Sequence, residues 1–453
     1  MRPRASARRR VADMTALPIS VQEARKLFEK LQRFPHLALA VSGGPDSLAL
    51  MHLAAGWRAD QGSARKLSVL TVDHGLRAQS RDEALMVGRM AQTLGLPHAI
   101  LSWEGGGART ASLQARARAV RYDLMAGFCH AHDIQALVTA HTQDDQAETF
   151  LMRLKRGSGL DGLAAIPEQG TWAGIAVLRP LLDVPKARLV ATLNEQGIGF
   201  ASDPSNSDPR FERARVRGSG AALIALGLTP EALALSARRL RRAREALDLA
   251  AQSFLAASSE TSEAGYSLID REALASAPQE IALRALSCLI ARVGGGEEPL
   301  RLAKIEALLA GLAENPEKTH TLGRCRLEPI SRRLGIFREV RAKGLPVARL
   351  EPGGRMLWDN RFRIELGPDE REPVTVRGLG DFGFRALRDR SEVAASLPRL
   401  AGRTLPGCWR GKDFIGVPVL GSLPGWGQRA GFDCRARFVS AEGISRGRER
   451  GAP

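Results

Sequence analysis

Residues 37–47 read LALAVSGGPDS, an apolar run followed by a loop of small residues with one proline and one acid. The run LALAV predicts a buried strand, and the stretch from Ser47 to Ala59 predicts a helix. A loop between a strand and a helix presents backbone N–H groups, and the helix dipole there favours an anion. We expect Gly43 and Gly44 to bring the backbone close to a ligand and to adopt unusual dihedral angles. The stretch therefore predicts a phosphate-binding turn.

Short apolar runs alternate with amphipathic stretches between residues 20 and 200. We predict strands at residues 37–41, 67–72, 136–139 and 177–179. We predict helices at residues 47–59, 81–94, 112–132 and 143–156. Strands and helices in alternation imply a parallel sheet covered on both faces, so the expected fold class of this part is α/β.

The pattern changes near Gly218. The string Thr229-Pro230-Glu231 predicts a helix start, with a capping hydroxyl and a proline at the first helical position. Five arginines within residues 238–244 follow on this helix, and they indicate either a solvated surface or a phosphate-facing one. Further helices are predicted at residues 279–293 and 301–312, and β-like segments dominate from about Lys318 onward.

These changes predict four segments. Residues 1–13 form a disordered extension, and residues 14–220 form the parallel-sheet nucleotide-binding domain. A helical domain at residues 221–330 contacts nucleic acid, and residues 331–453 form a small β-rich C-terminal domain. With 453 residues, the chain is long enough for two to three cores.

Composition narrows the class of protein. The 66 basic residues outnumber the 49 acidic ones, which gives a net charge of +17 and indicates a polyanionic partner, with nucleic acid as the first candidate. The 5 cysteines are scattered without a CxxC pair, which argues against a zinc ribbon, an iron–sulfur site or a disulfide framework and fits a reducing cytoplasm. No apolar run reaches the roughly 18–20 residues of a membrane span. The sequence thus predicts a cytoplasmic protein with no membrane partner.

The full loop string is more specific than a glycine-rich turn. It differs from the GxxxxGK[ST] loop and from the dinucleotide GxGxxG motif. Asp46 cannot attract phosphate directly, so its natural role is to hold Mg²⁺. The string SGGPDS resembles the PP-loop ATP pyrophosphatases, which split ATP between its α and β phosphates. The resemblance implies that ATP is bound by Ser42, Gly43, Gly44, Pro45, Asp46 and Ser47. The alternative is a turn with no ligand.

Further strings follow in a characteristic order. They are TVDHGLR at 71–77, ARAVRY at 117–122, TAHTQDDQAET at 139–149, RGSGLDGL at 156–163, RPLL at 179–182 and DPSNSD at 203–208, followed by Arg213, Arg215 and Arg217. Over residues 36–217 this set resembles the tRNA(Ile)-lysidine synthetases. Leu405-Pro406 and Trp409-Arg410 resemble that family's C-terminal domain more weakly. We therefore expect a PP-loop domain followed by a helical domain and a β-rich domain.

The resemblance implies a ligase that forms a carbon–nitrogen bond. Such an enzyme uses ATP and Mg²⁺ to adenylate C2 of the wobble cytidine of tRNA(Ile) with a CAU anticodon. Free L-lysine then displaces AMP and gives lysidine. The oligomeric state stays open, with a homodimer among the alternatives.

Acidic residues after the strand at 136–139 fit this chemistry. Asp145 and Glu148 are three residues apart and Asp144 and Glu148 four apart, so a helix clusters their carboxylates. Such a cluster could hold an ammonium group and accept its proton. The alternative, an acidic first turn that complements the helix dipole, is strong for Asp144 alone.

The resemblance assigns catalytic roles to Asp46, His141, Asp145, Glu148 and either Arg213 or Arg215. We also expect His74 to approach the nucleotide from the end of the strand at 67–72, where open α/β sheets bind ligands, and the alternative is a loop histidine that bonds the backbone. Thr142 departs from the family pattern, which often has a second histidine at that position.

Three other classes of protein compete with this interpretation. A cytidine thiolase, the closest rival, relies on paired cysteines, and this chain has no CxxC. An inert RNA-binding protein would have lost Asp46 or the acidic cluster. A small-molecule amide ligase would not need the basic helix or the tail domain.

Overall fold

The computed structural model describes residues 17–60, 65–73, 79–103, 112–200, 210, 212–296, 300–340, 342–389, 392–420 and 432–439. They fall into two compact units, of which the first ends at Arg244 and the second begins at Glu245. Among the described residues, no helix is both long and apolar enough to cross a membrane.

A six-stranded sheet forms the centre of the first unit, in the order β3-β2-β1-β4-β6-β5. The strands are β1 (His36–Ala40), β2 (Lys66–Asp73), β3 (His98–Ser102), β4 (Ala136–Val138), β5 (Gln169–Trp172) and β6 (Ile175–Leu178). All neighbours are parallel except the β5–β6 hairpin. The chain passes from β1 outward to β3 and then returns to the other side of β1. The order therefore reverses between β1 and β4, where open α/β sheets bind ligands.

Helices of the first unit surround this sheet. They are α1 (Val21–Leu27), α2 (Pro45–Asp60), α3 (Gln79–Thr93), α4 (Ser112–Ala131), α5 (Gln143–Lys155), α6 (Leu160–Leu163), α7 (Lys186–Glu195), α8 (Glu212–Gly218), α9 (Gly220–Ala225) and α10 (Pro230–Ser258), whose last turns belong to the second unit. One core cluster joins α2 and α7 to the sheet, and another joins α4 to it. The predicted α/β class with both sheet faces covered is confirmed.

The predicted strands and helices of this unit all exist, with ends shifted by a few residues. The strand β3 was not predicted. It lies at the edge of the sheet, where none of its residues is fully buried, so its sequence lacks a clear apolar run. The hairpin strand β5 and the helix α7 were also not predicted.

The second unit combines helices with three antiparallel sheets, in the orders β7-β8-β11-β10-β9, β12-β15-β16-β17 and β13-β14-β18. Its strands are β7 (Ser259–Ser262), β8 (Tyr266–Asp270), β9 (His320–Leu322), β10 (Cys325–Ile330), β11 (Arg333–Arg338), β12 (Ala348–Leu350), β13 (Arg355–Trp358), β14 (Phe362–Leu366), β15 (Val374–Gly378), β16 (Pro406–Arg410), β17 (Asp413–Gly416) and β18 (Cys434–Phe438). Its helices are α11 (Arg271–Ser276), α12 (Gln279–Gly294), α13 (Leu302–Glu314), α14 (Gly380–Arg388), α15 (Glu392–Ser396) and α16 (Arg399–Gly402). The additional β sheets at the C-terminus agree with the predicted fold class.

A domain boundary between residues 330 and 331 would cut one of these sheets. The strand β10 ends at Ile330 and pairs along its whole length with β11, which begins at Arg333. Within residues 221–330, predicted as helical, β7 and β8 also join this sheet. The division into domains otherwise stays a prediction.

Candidate active site

The loop after β1 is held in shape by a buried hydroxyl. The Ser42 N–H donates to Ser47 Oγ over 3.1 Å, and that hydroxyl donates to the Gly44 carbonyl over 3.0 Å. Ser47 lies in the first turn of α2 and is 7% exposed. Its hydroxyl therefore fixes the turn by binding both the Ser42 N–H and the Gly44 carbonyl.

The two loop glycines differ in conformation. Gly43 has a φ of +87°, which favours glycine, so the predicted unusual dihedral is confirmed there. A β-carbon on Gly43 would lie 3.4 Å from Met86 Cε. Gly44 has no positive φ, and a β-carbon there would meet Ser42 Oγ at an ordinary 3.8 Å. The expectation of an unusual dihedral is therefore wrong for Gly44.

Asp46 lies in the first turn of α2, beneath the loop, with 24% of its side chain exposed. Its Oδ2 accepts a hydrogen bond from Lys186 Nζ over 3.0 Å. Its Oδ1 is buried without a hydrogen-bond partner among the described residues. Burial raises the pKa of Asp46, although the Lys186 ammonium acts in the opposite direction. A hard carboxylate oxygen with no protein partner fits a magnesium ion, which takes one or two carboxylates together with substrate phosphates.

Helix α5 begins next to this loop, because it follows β4, the neighbour of β1. Thr142 caps the helix, and its backbone N–H donates to Asp145 Oδ2 over 2.9 Å. The Thr142 hydroxyl in turn accepts from the Asp145 N–H, which completes a capping box. Burial would raise the pKa of Asp145, but His141, Arg213 and the Thr142 hydrogen bonds hold that pKa below its usual range. Asp145 is therefore a helix cap and a stable anion at once.

His141 is held at both ring nitrogens. Arg118 approaches Nε2 over 3.5 Å, and Nδ1 lies 2.9 Å from Thr139 Oγ1. Because a guanidinium can only donate, this contact favours the tautomer in which Nε2 accepts and Nδ1 donates to Thr139. Burial lowers the pKa of His141 to about 3, so the ring is neutral at physiological pH. A neutral His141 can orient groups near Asp145 without adding positive charge.

Glu148 lies one turn further along α5 and is 7% exposed. Its Oε2 accepts from Arg217 Nη2 over 3.1 Å, and its Oε1 accepts from Arg217 Nε. Burial raises the pKa of Glu148 despite this two-pronged pair. Asp145 and Glu148 therefore differ in proton affinity, because the first has a lowered pKa and the second a raised one. Such a contrast suits separate roles as an anion and as a proton acceptor.

Three arginines of α8 occupy different places. Arg213 reaches Thr149 on α5 over 3.5 Å, and its charge acts on His141 and Asp145. Arg215 is exposed and donates to the Arg210 carbonyl over 3.0 Å. Arg217, quoted in the sequence motif but given no role, contacts Glu148. Of the two predicted alternatives, the structure brings Arg213 to the acidic cluster. The helical spacing of 213 and 217 was the signal that could have found both.

Asp144 supports the site in a different way. Its Oδ2 accepts the backbone N–H of Lys186 over 2.8 Å, at the start of α7. This contact favours a structural role for Asp144. Lys186 was not predicted, because a single lysine 42 residues after Asp144 carries no sequence signal. His74 lies outside the described residues.

The arginines of α10 are not equivalent. Arg238 forms an ion pair with Asp183 at 3.2 Å, and Arg241 donates to the Ile166 carbonyl over 3.0 Å. Arg239 and Arg242 are exposed. The same Ile166 carbonyl accepts from Gln146 of α5 over 2.8 Å. Arg241 therefore helps to dock α10 on the helix that carries the acidic cluster, whereas Arg239 and Arg242 face solvent.

Known proteins resemble this chain over most of its length. A family model described as a PP-loop domain matches residues 17–220. A tRNA(Ile)-lysidine synthase from Bradyrhizobium sp. (strain BTAi1) is 48% identical over 304 residues, which cover 65% of this chain and 84% of that protein. Another from Ruegeria pomeroyi is 38% identical over 391 residues, which cover 86% and 90%. A U34-tRNA thiolase structure from Methanococcus maripaludis has a TM-score of 0.40 and 18% identity over 48% of this chain and 77% of its own.

Proposed function

Because this chain belongs to the family of tRNA(Ile)-lysidine synthases, we propose that it joins free L-lysine to C2 of the wobble cytidine of a CAU-anticodon tRNA(Ile). ATP is consumed and AMP and pyrophosphate are released, which makes the enzyme a carbon–nitrogen ligase. The observation that carries the proposal is the placement of Asp145 and Glu148 beside the phosphate-binding turn. One edge of the sheet thus combines a nucleotide loop with groups that can handle an amine. A tRNA substrate implies a cytoplasmic location.

The first step activates a poor leaving group. The cytidine O2 attacks the α-phosphorus of ATP, the bond to the β-phosphate oxygen breaks, and pyrophosphate leaves. The loop at residues 42–47 would hold the phosphates through backbone N–H groups other than that of Ser42, which Ser47 already binds, and Pro45, which has none. Asp46 would hold Mg²⁺, which would neutralise charge on the phosphate oxygens. The adenylated cytidine then carries AMP, a good leaving group, at C2.

The second step needs a neutral amine. The reference pKa of lysine is about 10.4, so only roughly 1 in 2,000 molecules has a neutral side chain at pH 7. Asp145, whose pKa is lowered, attracts the ammonium form to the site. Glu148, whose pKa is raised, accepts a proton from the ammonium, and the neutral nitrogen then attacks C2. The C2–O bond breaks and AMP departs. Arg213 lies beside the cluster, where a basic group can stabilise the departing phosphate.

The RNA surface that we propose includes the exposed face of α10. Arg239 and Arg242 are exposed and three residues apart, so they lie on one face of the helix. A second basic region adjoins α5, where burial and then the charges of Arg156, Arg244 and Arg213 lower the pKa of Arg153. Positive charge concentrated in this way favours a phosphate backbone.

The test is a single incubation of protein, ATP, Mg²⁺, labelled L-lysine and a CAU-anticodon tRNA(Ile) transcript. We expect label in the RNA, with AMP and pyrophosphate formed in proportion. The matched control is the same transcript with the wobble cytidine replaced by uridine, which should take up no label. ADP and phosphate as products, or label in both transcripts, would contradict the proposal.

A further inference from the structure

Lys186 is fixed at two points beside the nucleotide loop. Its backbone N–H is bound by Asp144 Oδ2 over 2.8 Å, and its Nζ lies 3.0 Å from Asp46 Oδ2. It is the first residue of α7, which packs on α2 through a shared apolar core. The main chain of Lys186 is therefore anchored, whereas the four-carbon side chain can turn about a fixed base.

Stabilisation of the fold through its contact with Asp46 is a poor explanation for the presence of Lys186. The lysine side chain is 41% exposed and that of Asp46 is 24% exposed, so water screens the ammonium and the pair stabilises the fold by about 1 kcal/mol. The pair also leaves its partner incompletely compensated, because the pKa of Asp46 stays raised and Oδ1 stays without a partner among the described residues. Lys186 therefore binds one oxygen of the Asp46 carboxylate and leaves the other, Oδ1, without a hydrogen-bond partner among the described residues.

We propose that Lys186 binds the phosphates of ATP and exchanges Asp46 for them when the nucleotide enters with its metal ion. A divalent cation bound to Asp46 would repel the Lys186 ammonium, which lies 3.0 Å from the same carboxylate. Phosphates bound at the loop would then offer the ammonium a new anionic partner, in addition to the carboxylates of Asp144 and Asp145 that lie near Asp46. The inference rests on the proposed role of Asp46 in holding Mg²⁺.

In this arrangement Lys186 has one role before binding and another after it. In the free protein, its charge offsets part of the cost of the buried Asp46 carboxylate. In the complex, it adds a charge-assisted hydrogen bond to phosphate oxygens that the loop backbone already holds. Lysine suits the exchange because its ammonium is a compact charge on a flexible stem, with donors that do not require one fixed partner geometry.

The test measures binding and needs no turnover. Isothermal titration of α,β-methylene-ATP with Mg²⁺ is compared with titration of adenosine, which has no phosphate. Lys186→Met should weaken binding of the analogue by about 10- to 100-fold, the range for a lost hydrogen bond to a charged group, and should leave adenosine unchanged. Lys186→Arg should keep most of the affinity. The matched control is Lys30→Met, which removes a lysine paired with Glu168 at 2.7 Å elsewhere in this unit, and it should change neither ligand.

The same titrations in an Asp46→Asn background separate the two roles of the lysine. If Lys186 binds phosphate, Lys186→Met still weakens the analogue when residue 46 is neutral. If its effect disappears there, Lys186 acts only as the counter-ion of Asp46 and the proposal is overturned. An equal loss for adenosine would overturn it too. The wild-type protein could also bind the analogue equally well with and without Mg²⁺, while Lys186→Met still weakens that binding. This result would refute the metal role of Asp46 and leave the phosphate role of Lys186 standing.

Discussion

Replacing Arg217 by methionine tests how this arginine controls the pKa of Glu148. The change removes both hydrogen bonds to a carboxylate that is only 7% exposed. A buried acceptor left unsatisfied costs about 1–3 kcal/mol, and we expect the lower half of that range because water can replace an arginine that is 40% exposed. Arg217 lowers the pKa of Glu148, so its removal raises that pKa further.

The sign of the pH dependence follows from this shift. A carboxyl group whose folded pKa lies above its unfolded value stabilises the fold at low pH, and the contribution is lost as pH rises through the folded pKa. The variant should therefore be less stable than wild type at pH 7, and the difference should shrink as pH falls and Glu148 becomes protonated. Because a protonated Glu148 cannot accept a proton, the acid limb of the lysine-transfer rate should move to higher pH.

Two measurements check this reasoning. Urea unfolding at several pH values gives the stability difference, and single-turnover transfer of lysine to pre-adenylated tRNA gives the rate profile. Arg215→Met, an exposed change on the same helix, should alter stability by less than about 0.5 kcal/mol. Arg217→Lys should lie between wild type and Arg217→Met. An unchanged acid limb in Arg217→Met would refute the role of Glu148 as proton acceptor.

Three further outcomes are expected. Asp145→Asn keeps an oxygen that can cap α5, so adenylated tRNA should still form while lysine transfer falls at least about 100-fold, the scale of general acid–base catalysis; equal loss of both steps would assign the residue to metal or nucleotide. Asp46→Asn should abolish ATP cleavage without lowering the melting temperature, because a buried carboxylate with a raised pKa opposes folding at neutral pH; retained cleavage would remove its metal role. Replacing Arg239 and Arg242 by alanine should lower the salt slope of tRNA binding by about two units and leave ATP binding unchanged. Arg241→Ala, by contrast, should lower the melting temperature. A wild-type salt slope in the double variant would show that this face of α10 is only a solvated surface.

The sequence was informative where one local pattern determines one element. The apolar run before Ser42 and the glycine-rich turn after it predict β1, the loop and α2, because strand, turn and helix propensities agree there. It was less informative at edges. The strand β3 lacks a buried face, and the hairpin strand β5 is set by its pairing with β6. Such elements depend on tertiary partners that no local pattern records.

The candidate site shows the same limit. The proximity of the Asp145 and Glu148 side chains could be predicted from the sequence, since helix geometry brings residues at i and i+3 together. Lys186 and Arg217 reach the site from helices that follow later in the chain, and only the packing of those helices reveals them. Arginine density on α10 was likewise ambiguous, because the fold uses Arg238 and Arg241 for its own contacts.

The capping box at Thr142 and Asp145 has a consequence for how this site can change by mutation. A residue at position 145 must accept the Thr142 N–H to start the helix and must also carry the negative charge proposed for the chemistry. Serine or asparagine meets the first demand and fails the second. Aspartate meets both, and glutamate would do so only by moving the charge outward by one methylene. Most other substitutions at Asp145 would therefore weaken the start of α5 and remove the charge together, and only serine or asparagine would separate the two effects.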